Sequence, residues 1–328
     1  MAMSEIKKFD KYRKFETTFA GRPLVVETGK TCELSNGSCW VHYGDTVVMA
    51  NVTASAKPRE GVDFFPLSVD YEEKLYSVGR IPGSFTKREG KPSDKAILTS
   101  RMVDRPIRPL FPKDMRNDVS VVMTVMSVDP DCSPEITGLI ATSIAISISD
   151  IPWGGPVAGV SVGLVNGEIV LNPTLEQRAI NHLNLTVAGT MEKIVMIEAG
   201  ADEIDDETML EAIKTGHKEI RKMVEFISSI KPKFEFESME VDHDLFDAIA
   251  QMAEEDVKAA LDTDDKNVRE ARLAPIVDAV HAKFDEQYPE QIAMIDECIY
   301  KLQKKIVRNW LYEGKRVDGR SLDQIRPL

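Results

Sequence analysis

The apolar residues of this chain change period near residue 231, and that change divides what it can fold into. Upstream, short runs of β-branched and aromatic residues alternate with turn residues. Phe15–Phe19, a turn at Ala20-Gly21-Arg22-Pro23, Leu24–Glu27, a break at Ser35-Asn36-Gly37, Cys39–Val41 and Thr46–Val52 together predict a β-meander. Val119–Val128 predicts a further strand, and Val157–Leu171 a hairpin turned at Asn166-Gly167. Ile136–Ile148 is a run of small and apolar residues suited to a buried helix, and another strand is predicted over Ile194–Glu198. Asp205–Ile230 has the helical spacing Met209, Ile213, Ile220, Val224, Ile227, with acids in the first turn as the macrodipole favours. After Lys231-Pro232-Lys233, from about Asp242 to Tyr312, β-rich runs disappear. Apolar residues there recur at three and four (Leu245, Ile249, Met252; Ile276, Val280; Ile295, Ile299, Leu302, Ile306). The pattern predicts an α+β domain followed by a small all-α one.

A length of 328 residues suits about two domains, and the 43% apolar content is enough to bury two cores. No apolar stretch is long enough to span a bilayer, and Met1 to Arg13 is polar and lysine-rich without the apolar stretch of an export signal, so a cytoplasmic protein with no membrane partner is expected. Cys32, Cys39, Cys132 and Cys298 form no C-x-x-C pair, which predicts buried free thiols rather than disulfides or a zinc knuckle. The five histidines form no metal motif. Gly159-Val160-Ser161-Val162-Gly163 has the spacing of a nucleophile elbow but falls in a predicted strand, and Gly29-Lys30-Thr31 lacks the upstream glycine of a phosphate loop.

Net charge is −13, which by itself argues against a polyanionic partner. The charge is unevenly placed. Lys74 to Arg116 holds eleven basic and four acidic residues, a local +7, so the remainder carries −20. Inside this window lies Gly79-Arg80-Ile81-Pro82-Gly83-Ser84-Phe85-Thr86-Lys87-Arg88-Glu89-Gly90, a glycine-punctuated loop. Phe85 can stack on a base while Lys87 and Arg88 hold phosphates, the combination that single-stranded RNA binders use. A helix over Ser93–Arg105 follows, capped by Ser93 or Asp94 and stopped by Pro106, with Arg101, Arg105 and Arg108 at i, i+4 and i+7.

Val78 to Pro112 closely resembles the first ribonuclease PH-like core of bacterial polynucleotide phosphorylases, which carry G-R-I-P-G-S-F-F-R-R-E-G and R-L-I-D-R-P-I-R-P-L-F-P. The resemblance extends over nearly the whole chain, and Arg316-Val317-Asp318-Gly319-Arg320 with Ile325-Arg326-Pro327 is similar to the opening of a second core. It implies a ribonuclease PH-like domain of mixed sheets with packed helices over 1–236, an all-helical domain over 237–313, and the start of a second core over 314–328, cut short. It also implies an enzyme that degrades RNA from the 3′ end with phosphate as co-substrate, releasing nucleoside diphosphates, with magnesium (Mg2+) in the missing second core. Single-stranded RNA, a homotrimer and degradosome-type proteins are the implied partners. The implied RNA-binding residues are Arg80, Phe85, Lys87, Arg88, Arg101 and Arg105, the last two near the channel to the active site. Thr86 stands where the family has a second phenylalanine, a lost stacking platform worth about 1–3 kcal/mol per base.

The family's catalytic copy has D-x-x-x-x-x-D-x-K before V-A-G-T. Aligned on Val187-Ala188-Gly189-Thr190, those positions are Arg178, Asn184 and Thr186, and a serine cluster for phosphate is replaced by Ser133-Pro134-Glu135. No catalytic or metal-binding residue is therefore expected in this chain, which is read as the RNA-capturing and assembly copy. The alternatives are an RNA-binding and oligomerisation module with no enzymatic role, and a stand-alone ribonuclease PH-type exoribonuclease.

Overall fold

The computed structural model describes residues 9, 11–58, 62, 64–83, 85–113, 115–230, 242–289 and 292–325. Ser84, Asp114, Lys231-Pro232-Lys233, Arg326-Pro327-Leu328 and most of the polar N-terminal segment lie outside them. The chain divides into two compact units, Met1–Ser238 and Met239–Leu328. Among the described residues no helix is long and apolar enough to cross a membrane.

In the first unit, β1 (Arg13–Phe19), β2 (Arg22–Thr28), β3 (Gly37–Tyr43) and β4 (Thr46–Pro58) form the expected antiparallel meander. β6 (Asn117–Ser127) extends it antiparallel to β4, and β5 (Leu67–Glu73) adds to β6 in parallel at the edge, giving the order β1-β2-β3-β4-β6-β5. A parallel pair needs a crossover connection, and α1 (Asp94–Ile107) supplies it, packed on β5. The second sheet has the order β10-β9-β7-β8, built from β7 (Ala158–Val165), β8 (Glu168–Leu171), β9 (Leu183–Gly189) and β10 (Ile194–Ala201). Its β7–β8 hairpin turns at Asn166 and Gly167, both at positive φ, as a tight two-residue turn of primed type requires. Ser161 is paired within β7, so the nucleophile-elbow spacing is a strand.

Helix α2 (Pro134–Ser147) packs against β3, β4 and β6 of the first sheet and against β7 of the second, and every residue from Ile136 to Ser147 is buried. Such a stretch can carry no charge, and between Ile136 and Ser147 its polar residues are only the hydroxyls Thr137, Thr142, Ser143 and Ser147. Close approach demands small residues around it: a Cβ on Gly37 would lie 2.1 Å from the Ala145 carbonyl oxygen, and one on Gly159 would lie 2.4 Å from Leu139 Cδ2. A short α3 (Leu175–Ala179) leads to β9, and α4 (Asp206–Ile230) covers β7 and β9 with Ala212, Ile220, Met223, Val224 and Ile227 inward.

Three expectations are corrected. Pro106 does not stop α1, which runs on to Ile107, because a proline in the last turn removes only one late amide bond. β5 and β9 are strands beyond the predicted set, although Leu67–Tyr71 and Leu183–Val187 alternate apolar and polar residues. Cys32 is exposed, in a turn at positive φ, whereas Cys39, Cys132 and Cys298 are buried.

The second unit is α5 (His243–Leu261), α6 (Lys266–Phe284) and α7 (Ile292–Tyr312) around Leu245, Ile249, Phe284, Ile295, Ile299, Leu302, Ile306 and Trp310. Asp242 and Asp265 cap α5 and α6. His281 of α6 bridges two carboxylates, with Nδ1 2.8 Å from Asp285 and Nε2 3.0 Å from Asp296 of α7. Carboxylates only accept, so the imidazolium is the form that satisfies both contacts. The hydrogen bond to Asp285 raises the His281 pKa, burial opposes it, and Asp296 adds to the rise.

Two predictions follow from this packing. Gly37→Ala should destabilise the first unit by about 1–3 kcal/mol in urea unfolding, from the overlap with Ala145, whereas Gly200→Ala, which meets nothing, should change stability by less than about 0.5 kcal/mol. Because the folded pKa of His281 is raised, its contribution is complete below the unfolded value near ~6.5 and is lost as pH climbs through the folded one. His281→Gln should therefore lower the melting temperature more near pH ~6 than near pH ~9, and equal losses would refute the clasp.

Candidate nucleic-acid interface

The basic loop leaves the C-terminal end of β5 and returns to the N-terminus of α1. A 3-10 turn at Leu75–Val78 ends at Gly79, whose φ of 70° is left-handed, and Arg80 N donates to the Leu75 carbonyl at 2.9 Å. Glu89 Oε1 accepts from Leu75 N at 3.0 Å, so the far end of the loop is tied back to its start. Ser93, the α1 N-cap, accepts from Ala96 N and donates to Glu73 Oε2 at 2.7 Å, fixing helix and strand to the same stem. The loop is thus held at its base while its tip projects. Phe85 is 103% exposed and Ile81 78%. A wholly solvated phenylalanine on a tethered loop gains nothing from burial within this chain, so its apolar surface remains for another molecule.

The cations of the window fall into two groups. Lys74 pairs with Glu72 at 2.8 Å and Lys95 with Glu135 at 2.5 Å. Arg108 clasps Asp104 at 2.7 Å and also donates to the carbonyls of Phe65 and Leu67, so it is a structural tie. Arg105 meets Glu198 of β10 at 2.9 Å, an exposed pair that is worth little and opens easily. Among the described residues, the side chains of Arg80, Lys87, Arg88, Lys91, Arg101 and Lys113 have no hydrogen-bond or carboxylate partner, and four of these six lie on the loop or directly after it. The structure therefore brings Arg80, Phe85, Lys87 and Arg88 together on one tethered segment and sets Arg101 on the exposed side of α1, while Arg105 meets Glu198 of the second sheet in an exposed pair. Lys91 is an addition to the expected set. Its signal was its place directly after Gly90 in the same basic run.

The N-terminus of α2, where helix amides point outward and could receive an anion, is already filled. Ser133 Oγ accepts from Ile136 N and donates to Glu135 Oε2 at 2.6 Å, and Lys95 holds the other carboxylate oxygen. Burial raises the Glu135 pKa, but the bonds from Lys95 and Ser133 outweigh it and leave the carboxyl below the usual range, hence ionised at neutral pH.

Consecutive stretches match three sequence profiles. Residues 20–152 match "3′ exoribonuclease family, domain 1", residues 155–219 match domain 2 of that family, and residues 244–321 match "Polyribonucleotide nucleotidyltransferase, RNA binding domain". Over 323 residues, 97% of its length, the chain is 56% identical to the polyribonucleotide nucleotidyltransferase of Ruminiclostridium cellulolyticum, and over 326 residues it is 50% identical to that of Clostridioides difficile. The chain belongs to the polyribonucleotide nucleotidyltransferase family. It spans 46% of the length of each of these relatives. The crystal structure of rice Rrp46 superposes with a TM-score of 0.50 at 15% identity, covering 70% of this chain and 99% of that one, a likeness of fold. The α+β ribonuclease PH-like fold with packed helices, followed by a helical domain, is therefore as expected.

Within the polyribonucleotide nucleotidyltransferase pattern, the positions of the family's two metal carboxylates and lysine do not fit a divalent cation here. The Arg178 guanidinium donates to the Pro130 carbonyl. Asn184 is exposed on β9 opposite Gly200, and Thr186 sits opposite Glu198 on β10. Register partners share a face, so Glu198 is the carboxylate beside this position, and Arg105 already neutralises it. A hard cation seeks several oxygen anions, and a phosphate seeks donors that Glu135 does not offer. Adding orthophosphate with magnesium to this chain should leave its thermal midpoint unchanged; a saturable rise would reveal an anion or metal site that these contacts deny.

Proposed function

We propose that this chain is the RNA-capturing core of a polyribonucleotide nucleotidyltransferase. In this reading the whole enzyme degrades RNA from the 3′ end by phosphorolysis to nucleoside diphosphates, and this copy binds the strand without turning it over. Residues 1–236 act as the first ribonuclease PH-like domain, 237–313 as a helical domain, and 314–328 as the opening of a second core that holds magnesium and orthophosphate. Single-stranded RNA is the ligand, a homotrimer the assembly, degradosome-type proteins further partners, and the cytoplasm the site of action.

The observation that carries the reading is the fully exposed Phe85 on a tethered loop with Lys87 and Arg88 unpaired among the described residues. A ring free on both faces suits stacking, which tolerates any base, and flanking cations suit phosphates on either side of it. Arg80 and Lys91 lengthen the cationic track, and Arg101 extends it along α1. Arg105 joins it when its exposed pair with Glu198 opens.

Lys87→Ala with Arg88→Ala should weaken binding of a single-stranded RNA oligomer and reduce the slope of log affinity against log salt by about 1.4, as expected for two lost phosphate contacts. Phe85→Ala should cost about 1–3 kcal/mol of affinity with little change in that slope. Fluorescence anisotropy across a salt series reads both. Affinity and slope equal to those of the parent chain in both variants would reject the loop as the grip.

A further inference from the structure

The basic loop contains one acid, and its charge runs against the rest of the loop. Gly79 to Gly90 holds Arg80, Lys87 and Arg88, with Lys91 directly after, and among them stands Glu89. A carboxylate in such a place repels phosphates and weakens the local attraction for a polyanion. The neighbouring acids have evident uses. Asp104 neutralises Arg108, Glu72 pairs with Lys74, and Asp94 sits in the first turn of α1, where helix amides favour an anion. Glu89 makes no ion pair among the described residues, although cations lie on both sides of it in the sequence.

What Glu89 holds is backbone. The 3-10 turn at Leu75–Val78 begins with an amide that has no partner inside the turn, and Lys74 before it offers no side-chain cap. Glu89 Oε1 accepts from that Leu75 amide at 3.0 Å, across fourteen residues of chain. Two residues before Glu89, Lys87 has a φ of 51°, a left-handed conformation that is uncommon for a residue with a side chain and persists where its surroundings fix it. Phe85, Lys87 and Arg88 all lie inside the segment that this one carboxylate closes.

We propose that Glu89 is a positioning residue for RNA capture, whose carboxylate caps Leu75 and so presets the loop that carries Phe85, Lys87 and Arg88. An open segment of this length loses conformational freedom when a bound strand orders it, and that loss is subtracted from affinity; a loop already closed avoids most of it. Charge and geometry therefore predict opposite signs. If the carboxylate matters only as a charge, its removal tightens binding. As a tether, its removal weakens binding even though the loop becomes more positive. The inference rests on the reading of this loop as the RNA grip and adds to it a residue that acts through its neighbours.

Fluorescence anisotropy with the whole chain and a labelled single-stranded oligoadenylate compares the parent with Glu89→Ala, Glu89→Gln and Lys87→Ala/Arg88→Ala. Glutamine keeps the acceptor and removes the charge. Glu89→Ala should weaken binding about threefold to tenfold, the worth of one hydrogen bond, with an unchanged slope of log affinity against log salt because no phosphate contact is lost. Glu89→Gln should bind at least as tightly as the parent. Hydrogen exchange at the Leu75 amide, read without RNA, should quicken in Glu89→Ala and stay slow in Glu89→Gln. Equal or tighter binding by Glu89→Ala, or unchanged exchange at Leu75, overturns the positioning role. Equal weakening in both Glu89 variants overturns it too, since the acceptor would then not be what counts. If Lys87→Ala/Arg88→Ala binds as the parent does, or the parent binds no oligoadenylate, the loop is not the grip and both readings fall. A loss confined to that double variant leaves the grip standing and removes only the role of Glu89.

Discussion

The first unit depends on burying one helix completely between two sheets. Each fully buried Ile or Leu of α2 contributes about 1.5–3 kcal/mol relative to exposure, and Leu139, Ile140, Ile144 and Ile146 are all inaccessible. That gain exists only if both sheets close on the helix, and they close only because Gly37 and Gly159 leave out a side chain where it would strike Ala145 and Leu139. The same helix sets its surroundings outward. Its N-terminus is filled by Ser133 and Glu135, Glu135 holds Lys95 in the first turn of α1, and Ser93 ties α1 to the end of β5. The basic loop spans that stem. Core packing and the placement of Phe85 are in this way links of one chain of contacts.

Electrostatics sorts the cations by what lies near them. Arg108 is spent on Asp104 and two carbonyls, Lys95 on Glu135, and Lys74 on Glu72. Between Lys74 and Arg116, most of the cations left unpaired among the described residues lie on the loop, in a chain whose net charge is −13. On an acidic body, a small cationic projection of this kind attracts a polyanion locally and steers a strand toward it. The positions that would need anions for a metal, or donors for a phosphate, are held instead by Arg178, Asn184, Thr186 and Glu135.

Much of this was legible from residue order because two periods, two and near four, identify a half-buried strand and an amphipathic helix without tertiary information. The meander, the Asn166-Gly167 hairpin, α4 and the three-helix unit all carry one of them. β5 and β9 carry the period of two as well, Leu67, Val69 and Tyr71 alternating with Ser68 and Asp70, and Leu183, Leu185 and Val187 with Asn184 and Thr186, so both were legible by the same rule although neither was among the predicted strands. Pro106 looked like a stop, since a proline lacks the amide that would bond four residues back and its ring crowds that carbonyl, yet α1 runs one residue past it. The loop's chemistry was readable as a cluster of residue types. Which arginines stay unpaired was not, because Glu198 lies 93 residues from Arg105 in the chain and only folding sets them 2.9 Å apart.

The central claim is that this core holds RNA while lacking the groups that cleave it. The most direct measurement incubates the chain with single-stranded RNA, orthophosphate and magnesium, and follows both bound RNA and released nucleoside diphosphates. The account predicts a saturable complex and no diphosphate release. Sustained release that depends on orthophosphate would contradict it, because Arg178, Asn184, Thr186 and Glu135 would then have to do what their chemistry opposes.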